Sequence, residues 1–348
     1  MTGAGAPVPL LLLTGFLGAG KTTLMNRLLR EPALGRSAVV VNEFGHVGID
    51  HLLVERVDGD HLLLSTGCIC CAARGDLVSA LIGLLDCSAG TDAGFDRIIV
   101  ETTGLADPRP ILDALLLDPD LRARCRLAAV LTVVDARDGL GALSRGREAA
   151  RQVALADALV LSKLDLGGDA GEAGAARLAA HLAGLNPLAP IIDGRDIDAV
   201  VTAVRGRGGR VPMPRSAAEP ERRSHRHVDV EAVVLRAGLV DARTVDAFLH
   251  ILLQRHGSHL LRLKGFVATT DDPSRPHHVQ VVGARLHPGL RQESWPDSDR
   301  TTRLVVIVEG MPAGAVAELW DDMFGPPAID RPDATALMQG RHAAAGLF

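Results

Sequence analysis

Two stretches of this chain group reactive residue types more tightly than packing requires. Gly15 to Thr22, "GFLGAGKT", fits G-x4-G-K-[ST] without a mismatch. Gly67 to Cys71, "GCICC", holds three of the chain's five cysteines within four positions. The first pattern suits a polyphosphate. The backbone N–H groups of Gly15, Gly18, Ala19 and Gly20 can turn inward around the phosphates, and the N-terminus of a following helix adds positive potential. Lys21 would reach the β- and γ-phosphates, Thr22 would ligate Mg²⁺, and Thr23 would close the cradle.

Two later segments complete a nucleotide site. "ALVLSKLD" brings Ser162, Lys163 and Asp165 to the end of an apolar strand. A carboxylate at Asp165 accepts from guanine's ring N–H and exocyclic amine, a donor pair that adenine lacks. The Lys163 stem would pack on the base plane. Many GTPases carry Asn where this chain has Ser162, so one base contact is absent or replaced. "RIIVETTG" ends a second strand on Glu101, which would face Mg²⁺ or its water, with the Gly104 amide near the γ-phosphate. Asp135 ends a third strand and would support these loops or cap a helix.

Several chemistries compete for Cys68, Cys70 and Cys71. An inert core is disfavoured, because no regular element points three such closely spaced positions one way. A disulfide between Cys70 and Cys71 would be strained. A redox switch and a metal site both remain, since a helix N-terminus lowers a thiol pKa and thiolates are the species that bind metal. Clustered thiolates suit Zn²⁺ or Cu(I), and Co²⁺ accepts them. Cys87 and Cys125 read as small core residues.

The elements that must position these residues follow from periodicity. "PLLLLT" (9–14), "SAVVVN" (37–42), "HLLLS" (61–65), "RIIVE" (97–101), "AAVLTVVD" (128–135) and "ALVLS" (158–162) are continuously apolar, as strands covered on both faces are. Leu77, Leu81, Leu84 and Leu85 mark a helical stripe between two of them. The expected fold is α/β: a doubly wound, mostly parallel P-loop sheet over residues 1–204, then a linker at 205–226, a smaller α+β domain at 227–325 and a tail at 326–348. Lys occurs only at Lys21, Lys163 and Lys264 in an Arg-rich chain, so each position is singled out. Lys264 alternates with Arg262, and the shared face is either solvated or turned to the first domain or a partner.

Bulk properties narrow the class. A net charge of −5 gives no general pull toward nucleic acid or an anionic membrane. No apolar run is long enough to span a bilayer, and none reads as a signal peptide, so a reducing, cytoplasmic setting is expected.

Together "GFLGAGKTTLMNRLL", "VVVNEFGHVGID", "GCICC", "IIVETTGLADPRPIL", "LTVVDA" and "LSKLD" resemble, in order and spacing, the CobW-like metallochaperone GTPases. These belong to a wider P-loop group that includes the urease and hydrogenase nickel-insertion GTPases. "LLRLKGFV", "VQVVGAR" and "RTTRLVVIVEG" are similar to that family's C-terminal domain, so the likeness spans roughly residues 8 to 325. The resemblance implies GTP hydrolysis coupled to delivery of a transition metal, commonly zinc or cobalt, to a client metalloprotein. It makes Cys68, Cys70 and Cys71 the metal ligands, and Asn42 to Gly45 the stretch that senses nucleotide. A fourth metal position would fall to water, Glu43, His46 or a client ligand. Glu43 and Asp107 are the candidates to orient the attacking water, and a nucleotide- or metal-dependent homodimer is a further partner. The His-rich run and N-terminal docking motif of some relatives are not present, and His225, His227, His277 and His278 read as solvated. The rival classes are a P-loop small-molecule kinase, for which no Arg-rich lid is evident, and a zinc- or redox-sensing protein with a structural nucleotide site.

Overall fold

The computed structural model describes residues 6–42, 53–57, 61–66, 74–89, 94–166, 168–205, 229–286 and 290–325. The first unit runs β1 (Val8–Gly15), α1 (Lys21–Leu28), β2 (Ser37–Asn42), β3 (Leu53–Val57), β4 (His61–Thr66), α2 (Arg74–Ala89), β5 (Arg97–Glu101), α3 (Arg109–Leu117) and α4 (Pro119–Arg124). It continues through β6 (Cys125–Asp135), α5 (Gly139–Arg145), α6 (Arg147–Leu155), β7 (Ala158–Ser162), α7 (Gly168–Leu185), β8 (Ile191–Asp193) and α8 (Ile197–Val204).

Its eight strands lie in the order β3-β4-β2-β5-β1-β6-β7-β8. Every pairing is parallel except β3 with β4. β1 is central, and its side chains serve both faces by strand alternation. Leu10 and Leu12 pack with Leu77, Leu81 and Leu84 of α2 and with Ile111 and Leu115 of α3. Leu11 and Leu13 pack with Leu24 and Leu28 of α1 and with Val200 and Val204 of α8. The two-residue period explains why a continuously apolar strand is needed here. Cys125 is buried in the first cluster, and burial pushes its thiol up to about 11, so it is an inert core residue. Two strands of this sheet carry no strand pattern in the sequence. β3 is an antiparallel edge strand carrying two charged residues, and β8 has only three residues.

The second unit comprises β9 (Val230–Ala237), α9 (Ala242–His256), β10 (Leu260–Val267), β11 (His277–Val282), β12 (Arg285–Leu286), β13 (Leu290–Arg291), β14 (Thr302–Glu309) and α10 (Gly314–Phe324). Its strands form an antiparallel sheet in the order β12-β11-β10-β14-β9, with β13 added on β11. α9 and α10 cover one face, where Phe248 and Trp320 meet edge to face at 4.9 Å. The expected linker core at 206–226 and tail at 326–348 lie outside the described residues.

The sheet's other face packs on the first unit. Val230, Leu261, Val305 and Ile307 join one apolar cluster with Ala150, Val153 and Ala154 of α6 and Leu178 and Leu182 of α7. Beside it, Arg262 is 1% exposed and bonds to the Leu155 carbonyl and the Asp157 carboxylate. Lys264 lies 3.5 Å from the same carboxylate, so it and Arg262 do share a face, and that face is turned to the first unit. Burial works against the Asp157 charge, but Arg262, Lys264 and the Val130 N–H outweigh it and hold the pKa below the usual carboxylate range. Lys264 is the weaker partner: burial lowers its pKa although Asp157 opposes the shift.

Asp157→Asn is expected to leave two buried cations uncompensated and cost about 3–5 kcal/mol in equilibrium unfolding. Because the folded-state pKa is depressed, the native contribution should be full at neutral pH and disappear as pH falls below about 4. A wild-type-like unfolding midpoint in the variant at pH 7 would contradict this account.

Candidate nucleotide site and its link to the second domain

The loop between β1 and α1 turns through Gly18 and Gly20, whose φ values of 75° and 90° are open chiefly to glycine. Gly20 caps α1 without a side-chain hydrogen bond, so the first N–H groups of that helix are left for an anion. Lys21, the first helical residue, is 8% exposed. Its ammonium donates to the carbonyls of Gly15 at 3.0 Å and Phe16 at 3.3 Å, which places it under the loop. Burial holds its pKa below the usual lysine range, and Glu101 partly offsets that. The Thr22 hydroxyl donates to Glu101 Oε1 at 2.8 Å. These are hard oxygen donors, and their set fits Mg²⁺ rather than a soft metal. Thr23 is exposed on the first turn of α1.

The loop after β5 lies flush against the phosphate loop. Thr102 bonds to the Thr14 hydroxyl at 2.8 Å and to the Leu13 carbonyl at 3.0 Å. A Cβ on Gly104 would come within 2.4 Å of both the Leu17 N and Cα, so only glycine allows this approach. Gln152 of α6 is buried and donates to the carbonyls of Gly104 at 3.3 Å and Ala106 at 3.0 Å. Asp107 does not present a free carboxylate. Its oxygens accept from the Arg109 N–H at 2.9 Å, the Arg109 Nε at 3.2 Å and the Arg151 Nη1 at 3.0 Å. Arg151 Nε in turn lies 2.9 and 3.0 Å from the two Glu309 oxygens on β14.

The base-side turn meets the same loop. The Ser162 hydroxyl donates to the Ala19 carbonyl at 2.6 Å, so it braces the phosphate loop. Lys163 adopts φ 57°, and its ammonium bonds to the Gly18 carbonyl at 2.7 Å and to Asp135 at 2.6 Å. Asp135 thus supports the loops, and it also accepts from the Arg137 N–H at 2.8 Å. Asp165 sits exposed in the turn Leu164–Leu166. Nearby, Arg27 of α1 bonds to the carbonyls of Gly194 and Arg195 and fixes the loop after β8.

Glu43, His46, Cys68, Cys70 and Cys71 lie outside the described residues, as do His225 and His227. Among the described residues no cluster of three metal-ligating side chains occurs. His277 contacts Arg291 at 2.7 Å and His278 stacks on Phe266, so neither stands in open solvent as expected. Gln152, Arg151 and Glu309 were not legible in the sequence, because nothing in a helix or strand pattern marks their partners.

Family models match this chain twice: CobW/HypB/UreG, nucleotide-binding domain, over residues 9–193, and Cobalamin synthesis protein cobW C-terminal domain over residues 230–324. The zinc chaperone YjiA of Escherichia coli is 31% identical over 306 residues, covering 86% of this chain and 94% of that protein. The zinc chaperone CobW of Pseudomonas aeruginosa is 31% identical over an alignment of 372 residues, covering 90% of each. Among solved structures, the Zn(II)-bound YjiA GTPase from E. coli matches with a TM-score of 0.70 at 27% identity, covering 92% of this chain and 99% of that one.

Gly104→Ala is expected to push the two loops apart and weaken nucleoside triphosphate binding or turnover on the order of 100-fold, the usual effect of a displacement near 1 Å. Calorimetric titration with unchanged circular dichroism checks it, and unaltered affinity would show the contact to be dispensable. Phosphate affinity should also fall as pH rises through the lowered Lys21 pKa, earlier than for an exposed lysine, because only the ammonium form attracts the anion. A flat affinity from neutral pH to the ordinary lysine range would contradict that placement of Lys21.

Proposed function

Since this chain belongs to the CobW/HypB/UreG family and carries the CobW C-terminal domain, we propose that it is a GTP-hydrolysing metallochaperone that binds zinc as cargo and delivers it to a client metalloprotein. The supporting observation is the meeting, at one edge of a parallel sheet, of the Lys21 phosphate cradle, the Thr22–Glu101 oxygen pair and the Ser162-Lys163-Asp165 turn. In this assignment the backbone from Gly15 to Thr23 wraps the phosphates, and Lys21 moves its ammonium from loop carbonyls to phosphate oxygen. Thr22 and Glu101 would hold Mg²⁺, which supplies charge neutralisation on the β- and γ-phosphates when bound. Gly104 offers its amide to the γ-phosphate, and Asp165 accepts from guanine while the Lys163 stem flanks the base. Because arginines occupy Asp107, Glu43 is the stronger candidate to orient the attacking water.

Zinc is the cargo that the relatives' names favour, and cobalt would fit the same thiolates. Cys68, Cys70 and Cys71 are assigned as its ligands, with the fourth position left for transfer. In sequence they lie between β4, which pairs with β2, and α2, while Glu43 follows β2. GTP would order residues 43–50 and hydrolysis would release them, altering thiolate geometry. The coupling must be reciprocal: metal changes GTP affinity by the factor by which GTP changes metal affinity. A cytoplasmic setting and a nucleotide- or metal-dependent homodimer belong to the same proposal.

Asp165→Asn tests the nucleotide assignment. An amide can donate to the second carbonyl of xanthine, so the variant should lose guanine discrimination by on the order of 100-fold or more and favour xanthosine triphosphate. Retained GTP preference would sink the assignment of Asp165. Lys21→Ala should abolish turnover yet leave zinc binding intact, whereas serine at Cys68, Cys70 and Cys71 should do the reverse. Joint loss of both activities in well-folded Lys21→Ala would contradict separate sites.

A further inference from the structure

Among the described residues, the ionic contacts between the domains include two buried or half-buried clusters and the exposed Arg147–Asp229 pair. The Asp157–Arg262 pair lies beside the shared apolar cluster, and its guanidinium is 1% exposed, as suits an anchor. The second cluster is Glu309, Arg151, Arg109 and Asp107, whose side chains are 10–25% exposed. What this cluster adds is geometry. One planar guanidinium on Arg151 takes both oxygens of Glu309 through Nε and reaches Asp107 through Nη1. Arg109 Nη2 stands 3.7 Å from Glu309 and closes the ring.

That ring lies two steps from the phosphate loop. Asp107 is three residues after Gly104, and Gln152, the next residue on α6 after Arg151, holds the Gly104 and Ala106 carbonyls. Residues 151 and 152 therefore grip the loop after β5 at three points. Gly104 itself has no room to move toward Leu17. Glu309 is fixed from the second-domain side, because its backbone exchanges bonds with His259: N–H to carbonyl at 2.8 Å, and carbonyl with the His259 Nδ1 at 2.8 Å.

We infer that Glu309 of the second domain, acting through Arg151 and Asp107, is a positioning residue for the Gly104 loop, so that the second domain's placement sets the rate of GTP hydrolysis. This role rests on the GTPase assignment above. It gives the second domain a part in the chemistry although none of its described residues reaches the phosphate cradle. By linkage, the state of the Gly104 loop must bias how the second domain sits, which is a physical route from nucleotide to a bound client.

The full-length protein tests it by steady-state and single-turnover GTP hydrolysis with Glu309→Gln, Glu309→Asp and Arg151→Lys. Glu309→Gln removes the charge with little change of shape and should lower kcat about 10-fold with KM for GTP within about 2-fold, because positioning acts on the reacting geometry. Glu309→Asp should recover part of the loss. Arg151→Lys should not, because an ammonium cannot bridge two carboxylates as the planar fork does. A merely structural role would lower the melting temperature and leave kcat of the folded fraction unchanged, and that result overturns the inference. If Glu309→Gln fails to fold by circular dichroism, Arg151→Lys decides by the same criterion. A wild-type protein that hydrolyses no GTP overturns the GTPase assignment and this role together, whereas active wild type with wild-type kcat in Glu309→Gln and Arg151→Lys overturns this role alone.

Discussion

The central strand β1 is held in parallel register between β5 and β6, with Leu13 opposite Glu101 and Gly15 opposite Val133. β6 and β7 extend the same alignment, with Asp135 opposite Ser162. A parallel sheet delivers the C-terminal end of every strand to one edge, at the point where the chain's winding reverses direction. The phosphate loop, Glu101, Asp135 and the Ser162 turn therefore converge because of one register. Leu10 to Leu13 are identical and buried on both faces, so polar contacts at the strand's end, such as the Thr102–Thr14 hydroxyl bond, distinguish this register from a slipped one.

Around that edge the polar groups brace one another before any ligand is considered. Lys21 and Lys163 each bond to carbonyls of the phosphate loop, Ser162 does the same, and Gln152 holds the neighbouring loop. The phosphate loop's shape is therefore set by Ser162 and Lys163 at the end of β7 as well as by its own glycines. Two of the chain's three lysines serve here, and the third meets Asp157 at the domain contact. Each of the three is an ammonium donor beside backbone carbonyls or a carboxylate.

Much of this was legible from residue order. The six parallel strands, the helix stripe from Leu77 to Leu85 and the phosphate loop follow from periodicity and glycine spacing, which are local signals. Edge strand β3 was not, because its alternation is broken by charge, and β8 is too short to carry a pattern. The grip of Gln152 on Gly104 and the bridge from Arg151 to Glu309 depend on residues 48 and 158 positions apart in sequence. Nothing short of the tertiary fold brings such pairs together. Asp107 shows the converse error of reading a carboxylate near a strand end as a free acceptor, when two arginines already occupy it.

What gives the fold its proposed purpose is the dependence of a thiolate site on the occupant of the phosphate loop. The phosphate loop follows β1 and the cysteines follow β4 in sequence, and a two-state segment between them in the chain can be biased from either end. The direct test is the zinc dissociation constant of the full-length protein, measured by chelator competition with a non-hydrolysable GTP analogue and with GDP. The account predicts values differing by about 5- to 150-fold, with the ratio of analogue to GDP affinity shifted by the same factor when zinc is bound. Equal zinc affinities in the two nucleotide states would contradict it.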